Sequence, residues 1–159
     1  MDWLTAITHW LHVLFAIFWF GSTLFTDFVL MPAVMQMSPG AQRELGQRIG
    51  PIAERAETAA GVATIVLGVI LGTVVGPVQS VTFLLGTAYG LTWLVSLVLA
   101  LAVFVFGARM LTPAVAGVAR AATPDEQAAA VARVRLYSLL QLAGFILIFT
   151  AMVLMHFEG

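Results

Sequence analysis

The sequence contains no cysteine and no lysine, and only 9% of its 159 residues are charged. Without cysteine the chain has no disulfide, no thiolate metal site and no thiol nucleophile. It also lacks the Gly-x-x-x-x-Gly-Lys phosphate loop, the His-Glu-x-x-His zinc motif and a serine elbow, so the common nucleotide-binding and hydrolase classes are not indicated. A net charge of −1 gives no long-range attraction to nucleic acid.

Hydrophobic residues make up 61% of the chain, and its mean hydropathy is +1.02. A soluble domain carries about 25% charged residues, so this chain lacks the polar surface that contact with water requires. Four apolar stretches, at about 3–34, 52–76, 83–111 and 130–157, each reach the roughly 20 residues that a membrane-spanning helix needs. The sequence therefore predicts one all-α domain over 1–159, an integral membrane four-helix up-down bundle surrounded by the lipid bilayer.

The basic residues lie in or beside only two of the three connections between these stretches. All seven are arginines, and they flank the first and third connections: Arg43, Arg48, Arg55, Arg109, Arg120, Arg133 and Arg135. The second connection, 76–82, has no charge, and the termini carry only Asp2 and Glu158. The positive-inside rule then predicts that the first and third connections are cytoplasmic and that both termini are extracytoplasmic.

Proline marks the expected starts of two helices. Thr123 followed by Pro124 is a helix start signal, so the fourth helix is expected to begin near Pro124, before its membrane-spanning part. In the first connection, the polar stretch 42–48 is expected to form a short interfacial helix, and the second helix is expected to begin near Pro51.

The three histidines lie near the outer ends of the first and last stretches. His9 and His12 open the first stretch, and His156 closes the last one, close to Met152 and Met155. An imidazole in a membrane is a candidate functional group, and it suits haem iron, copper or zinc. We predict haem b ligation by His12 with His156 or His9, or a copper site of the same histidines and the two methionines, since thioether selects Cu(I). The alternative is that the histidines are hydrated at the interface and bind nothing.

Polar and small residues recur every three or four positions along the first stretch, which places them on one helix face. They are Thr5, Thr8, His12, Ala16, Trp19, Thr23 and Thr26. We expect this face to point into the bundle. In the second stretch, Gly68, Gly72 and Gly76 form a small-residue ridge, which indicates close helix packing or room for a flat macrocycle.

Three acidic residues form a second cluster toward the cytoplasmic end. Asp27 lies in the first stretch, and Glu54 and Glu57 lie three residues apart in the second. Carboxylates within membrane helices indicate a proton or ion relay. The alternative is a set of ion pairs at the cytoplasmic interface, and this interpretation is favoured for Glu54 with Arg55.

The first half of the chain resembles a superfamily of small four-helix membrane proteins, which includes copper-resistance D domains and the oxygen-independent-type protoporphyrinogen oxidases. The resemblance covers about 70 residues and is carried by His12-x6-Trp19-x-Gly21 and by Phe25-x-x-Phe28-Val29-x-x-Pro32. It implies an axial haem ligand at His12, as in the oxidase group, or copper transfer across the inner membrane, as in the D domains.

The third helix departs from the oxidase pattern. The resemblance implies an essential basic residue there, whereas this chain has Thr92, Trp93 and Ser96. Porphyrinogen oxidation is therefore not expected. The sequence predicts a haem b protein of a bacterial-type inner membrane with a redox or electron-transfer role. A partner protein or a quinone would exchange electrons with it, and homo-oligomer formation stays open. The alternatives are a copper-handling membrane protein and a structural subunit or assembly factor of a membrane complex.

Overall fold

The computed structural model describes residues 3–158, with the side chains at 156 and 158 excepted, and this range contains helices and no strand. The helices are α1 (Trp3–Val34), α2 (Pro39–Thr73), α3 (Val81–Gly86), α4 (Ala88–Arg120) and α5 (Pro124–Glu158). All but the short α3 are long and apolar enough to cross a membrane. The predicted all-α class is therefore confirmed, and four of the helices could span a membrane.

The helices differ from the apolar stretches at several ends. The second helix ends at Thr73, before the predicted end at 76, and the third stretch is divided at Thr87 into α3 and α4.

At their polar ends the helices extend further than the stretches. α2 begins at Pro39, where the Ser38 hydroxyl accepts a hydrogen bond from the Ala41 backbone N–H at 3.5 Å. The polar stretch 42–48 is part of α2, and Pro51 lies inside the helix and does not begin it. α4 likewise continues to Arg120. Hydropathy identifies only the apolar part of a helix. It therefore underestimates the length of a helix that continues into a polar environment.

α5 begins at Pro124, as predicted. The Thr123 hydroxyl accepts from the Glu126 backbone N–H at 3.2 Å, and the Glu126 carboxylate accepts from the Thr123 N–H at 3.3 Å. This reciprocal capping box satisfies two of the backbone donors that every helix start leaves open. It fixes the start of the helix that carries the last apolar stretch.

α1 and α4 each contain one π-helical turn just before a proline. The turns are Thr26–Leu30, followed by Pro32, and Gly107–Leu111, followed by Pro113. Proline has no N–H to donate to the preceding turn, and its ring crowds the carbonyl four residues earlier. A wider turn at this point lets each helix continue, and π turns of this kind are frequent at functional sites.

The two π turns belong to an internal repeat that the sequence analysis did not identify. Residues 25–34 and 106–115 share the pattern Phe-x4-Leu-x-Pro-Ala-Val. The helices that follow both begin with Ser/Thr-Pro-x-x-Gln, at 38–42 and 123–127. The chain therefore consists of two similar pairs of long helices, α1 with α2 and α4 with α5.

Trp19 lies at the centre of the bundle and is only 5% exposed. Its ring packs edge-on against Phe145 of α5 and Phe104 of α4, with centroids 4.9 and 6.0 Å away. On α2 it lies beside Gly61, where a Cβ would be 3.1 Å from Trp19 Cε2. One side chain of α1 thus contacts all three other long helices.

The predicted inward face of α1 is confirmed by burial. Thr8, Trp19 and Thr23 are the buried residues of its first 23 residues. The Thr8 hydroxyl donates to the Leu4 carbonyl at 2.8 Å, and the Thr23 hydroxyl donates to the Trp19 carbonyl at 3.1 Å. These threonines satisfy their own hydroxyl groups within the helix and need no partner from another element.

The two helix pairs meet through unlike contacts. The α2 backbone approaches α4 closely because Gly61 and Gly72 leave room for aromatic rings of α4. The α1 backbone stays further from α5, and these helices meet through side chains, such as Trp19 with Phe145 and Asp27 with Ser138. Along these contacts the residue number increases on α1 and decreases on α5, so the two helices run in opposite directions.

We predict that Gly72→Ala destabilises the protein, because a Cβ at this position would overlap the Trp93 indole ring. Overpacking of this kind costs about 1–3 kcal/mol. Gly21→Ala is the matched control, since nothing lies within 4 Å of a Cβ there, and loss of a mid-helix glycine stabilises by about 0.5–1 kcal/mol. Thermal unfolding in detergent should give a lower Tm for Gly72→Ala alone. Equal Tm values would contradict this packing.

Candidate functional site

His12 of α1 is anchored to the backbone of α2. Its Nδ1 lies 2.9 Å from the Thr64 carbonyl oxygen, and the side chain is half-buried. A Cβ on Gly68 would be 3.1 Å from His12 Cε1, so the ring approaches α2 at a position where a side chain would crowd it. Because Gly68, one turn after Thr64, has no side chain, the His12 ring can come close enough to α2 to form this hydrogen bond.

The hydrogen bond decides which nitrogen of His12 carries the proton. A carbonyl oxygen can only accept, so Nδ1 must be the protonated nitrogen. The neutral ring then keeps its lone pair on Nε2, which points away from the Thr64 carbonyl. Histidines that ligate metals are commonly oriented in this way, with one ring N–H held by a backbone carbonyl. Sequence reasoning missed the Thr64 carbonyl, because a backbone acceptor leaves no residue-type signal.

Gly68 and Gly72 of the predicted ridge are covered by protein side chains, whereas Gly76 lies beyond the end of α2 and is not part of a helical ridge. His12 packs at Gly68, and the Trp93 ring packs at Gly72 while its Nε1 donates to the Gly68 carbonyl at 3.3 Å. Gly61 is covered by aromatic rings. The ridge therefore serves close helix packing, and it does not hold an open slot for a flat macrocycle.

The contacts between α1 and α5 place Met152 level with His12. His12 lies seven positions before Trp19, and Met152 lies seven positions after Phe145. Seven residues are almost two full turns, about 10.5 Å, so each residue shares a face with its aromatic neighbour. Since Trp19 contacts Phe145 and the helices pass in reverse order, His12 and Met152 reach the same level of the bundle. Met152 is half-buried and packs against the core.

The same register separates His12 from the other predicted ligands. Residue 156 falls level with His9, about one turn further out than His12. The His9 side chain is exposed, and Met155 is half-buried. The side chain of His156 lies outside the described residues. The register therefore gives His12 and Met152 similar depths, whereas His12 and residue 156 differ in depth by about one turn.

The acidic cluster lies at the opposite end of α1. Asp27 Oδ1 accepts a hydrogen bond from the Ser138 hydroxyl at 2.8 Å, which joins α1 to α5. Glu57 is half-buried and faces Asp27, while Glu54 is exposed. The ion pair favoured for Glu54 with Arg55 is not formed. Among the side chains that the structure describes, the ion pair present is the exposed contact between Arg48 and Glu44 at 2.9 Å.

Gln141 of α5 is a buried polar residue in this cluster. It is 6% exposed, and its Oε1 has no hydrogen-bond partner. Together with Asp27, Glu54 and Glu57 it lines a cavity of about 80 Å³. In sequence this residue is a single polar position in an apolar part of α5, three residues after Ser138.

No family model, no curated protein and no solved structure matches this chain. Among the residues that the structure describes, no group of three or more histidine, aspartate or glutamate side chains is arranged to hold a metal ion. The fold defines an all-helical, multi-pass membrane protein. Its polar side chains gather at two sites, His12 near one end and the Asp27 cavity near the other.

We predict that His12 is neutral and protonated on Nδ1 in the membrane-embedded protein without added metal. With three histidines in the chain, ¹⁵N-histidine labelling should give three ring spin systems, which His12→Gln and His9→Gln assign. The His12 signal should show a protonated Nδ1 and a bare Nε2, because the Thr64 carbonyl only accepts. Protonation on Nε2 instead would contradict the hydrogen bond.

Proposed function

We propose that this chain is an inner-membrane protein that binds b-type haem through His12 and carries out electron transfer or a redox reaction. The observation that carries the proposal is the hydrogen bond from Nδ1 to the Thr64 carbonyl. It presents Nε2 as an acceptor of fixed orientation, as in histidines that ligate haem iron or a metal.

The proposed topology is an up-down bundle with both termini outside the cytoplasm. All seven arginine side chains are exposed, and they flank the connections 35–38 and 121–123, which lie at the end of the bundle away from His12. Under the positive-inside rule this end is cytoplasmic. The haem would then lie near the extracytoplasmic side of a bacterial-type inner membrane.

The side chains present can ligate haem iron, whereas the ridge glycines of α2 leave no open slot for the haem ring. The imidazole of His12 and the thioether of Met152 lie at similar depths, and these two groups would hold the haem iron. Gly68 and Gly72 of α2 are covered by the rings of His12 and Trp93, so these two glycines would not hold the haem. When bound, haem iron supplies one-electron redox chemistry. The chain supplies the His12 ligand, its orientation and an apolar surround.

The test is an absorption spectrum of the detergent-purified protein, expressed with ample haem, as isolated and after dithionite. We expect a Soret band, reduced α and β bands and about one haem per chain. His12→Ala should lower the haem content about tenfold or more, since a ligand matters at least as much as an outer-shell partner. His9→Ala, an exposed histidine one turn away, should keep it. A colourless wild type, or equal loss in both variants, would refute the proposal.

Copper handling is the second candidate, and the level of Met152 with His12 favours it. A neutral imidazole facing a thioether suits Cu(I). Here we predict a protein without visible bands that holds copper by elemental analysis. The copper should fall in Met152→Ala more than in Met155→Ala, because Met155 lies one turn further out. Equal copper content in both methionine variants and in His12→Ala would speak against this site.

A further inference from the structure

The two π turns of the internal repeat meet at the acidic cavity. Thr26 and Asp27 of the first turn line it, and so do Gly107, Ala108 and Leu111 of the second. The volume of about 80 Å³ is room for several water molecules. This site lies at the opposite end of the bundle from His12, and the inference drawn from it does not depend on the proposed haem.

The polar lining of the cavity consists of acidic, threonine and glutamine side chains, and it contains no basic side chain. Its charged lining residues are Asp27, Glu54 and Glu57, and its lining contains no arginine or histidine. The polar groups that face Glu57 are Asp27 and Ser22. The Ser22 hydroxyl donates to the Trp19 carbonyl at 3.0 Å, and it is also within hydrogen-bond reach of Glu57, to which it brings no charge. Two carboxylates therefore face each other without a cation from the described part of the protein.

Gln141 supplies an independent observation that the cavity has an occupant. Its amide lies against Gly107, where a Cβ would be 3.2 Å from Nε2, while its Oε1 has no partner although the residue is 94% buried. Buried polar atoms in native proteins nearly always have a partner, and an exception calls for one that the protein itself does not provide. An amide oxygen beside carboxylates asks for a donor or a cation.

We infer that this cavity binds a hydrated monovalent cation between Asp27, Glu57 and Gln141. The carboxylates supply the negative charge, and the amide oxygen supplies a neutral ligand, which are the groups that hard cations prefer. Within the described residues the carboxylates do not form a group able to hold a metal ion directly, so water molecules in the cavity complete the contacts. A proton taken up by one of the carboxylates would neutralise the same charge as an alkali ion, and the experiment distinguishes the two.

The first arm measures thermal unfolding of the full chain in detergent, in NaCl, KCl or choline chloride at equal ionic strength and pH. A cation that binds only the folded protein raises Tm by mass action. At ten times its Kd, Na⁺ or K⁺ should raise Tm by about 3–5 °C over choline. Asp27→Asn, Glu57→Gln and Gln141→Leu should abolish this rise. Asp125→Asn, which removes an exposed carboxylate at the same end of the bundle, should keep it.

Gln141→Leu separates the loss of a ligand from a loss of folding. Leucine has a similar size and removes the unpartnered oxygen, so this variant should unfold in choline at a Tm equal to or above that of the wild type. A Gln141→Leu protein that is folded in choline and still gains the full rise in Na⁺ would overturn the role of the amide oxygen.

The second arm asks whether the cation is a proton. Infrared spectra of the wild type in choline should then show the carbonyl stretch of a protonated carboxylic acid, shifted in D₂O and absent from Asp27→Asn or Glu57→Gln but present in Asp125→Asn. A salt response lost in the cavity variants assigns an alkali ion, and a carboxylic acid band lost in them assigns a proton. If the wild type shows neither the rise of Tm in salt nor the carboxylic acid band, the inference is wrong. It is also wrong if whichever of these is observed stays unchanged in all three cavity variants.

Discussion

The packing of Trp19 is the contact on which the arrangement of the bundle depends. It is the point where α1 meets Gly61 of α2, Phe104 of α4 and Phe145 of α5. In lipid, helices gain little from hydrophobic burial, so close fits and specific contacts hold them together. The large ring fills the space that Gly61 leaves on α2, and it keeps α5 at a distance from α1. The depth of every other α1 side chain relative to α5 follows from this one contact.

The two helix pairs of the internal repeat carry different residues at equivalent positions, and these differences include the ionisable residues of α1. In the aligned pattern of α1 and α4, Trp93 stands where α1 has His12, and Ala108 stands where α1 has Asp27. Both His12 and Trp93 direct a ring N–H to a carbonyl of α2. Two similar helix pairs thus build the scaffold, and the differences between them place the ionisable groups along α1.

Hydropathy and charge were sufficient to predict the class of fold, the four spans and the inward face of α1, since lipid exposure imposes a simple apolar pattern. They did not reveal that α2 begins at Pro39, because a polar helix outside the membrane has no such pattern. They identified His12 as a candidate ligand but did not reveal its hydrogen bond to the Thr64 carbonyl, because that contact depends on the register between α1 and α2. They also did not reveal that the Gln141 Oε1 has no hydrogen-bond partner, because this depends on which atoms of other helices surround it.

The distance between the two sites limits how strongly they can influence each other. His12 and Asp27 are about 22 Å apart along α1 at 1.5 Å per residue, and the rings of Trp19, Phe104 and Phe145 lie between them. One unit of charge gained at the His12 end would change the energy of a cation at the Asp27 end by about 0.8 kcal/mol at an effective dielectric constant of 20. That is roughly a fourfold change in affinity. Any stronger coupling would need a movement of the aromatic core itself, since the core separates the two sites and no polar chain of the described residues crosses it.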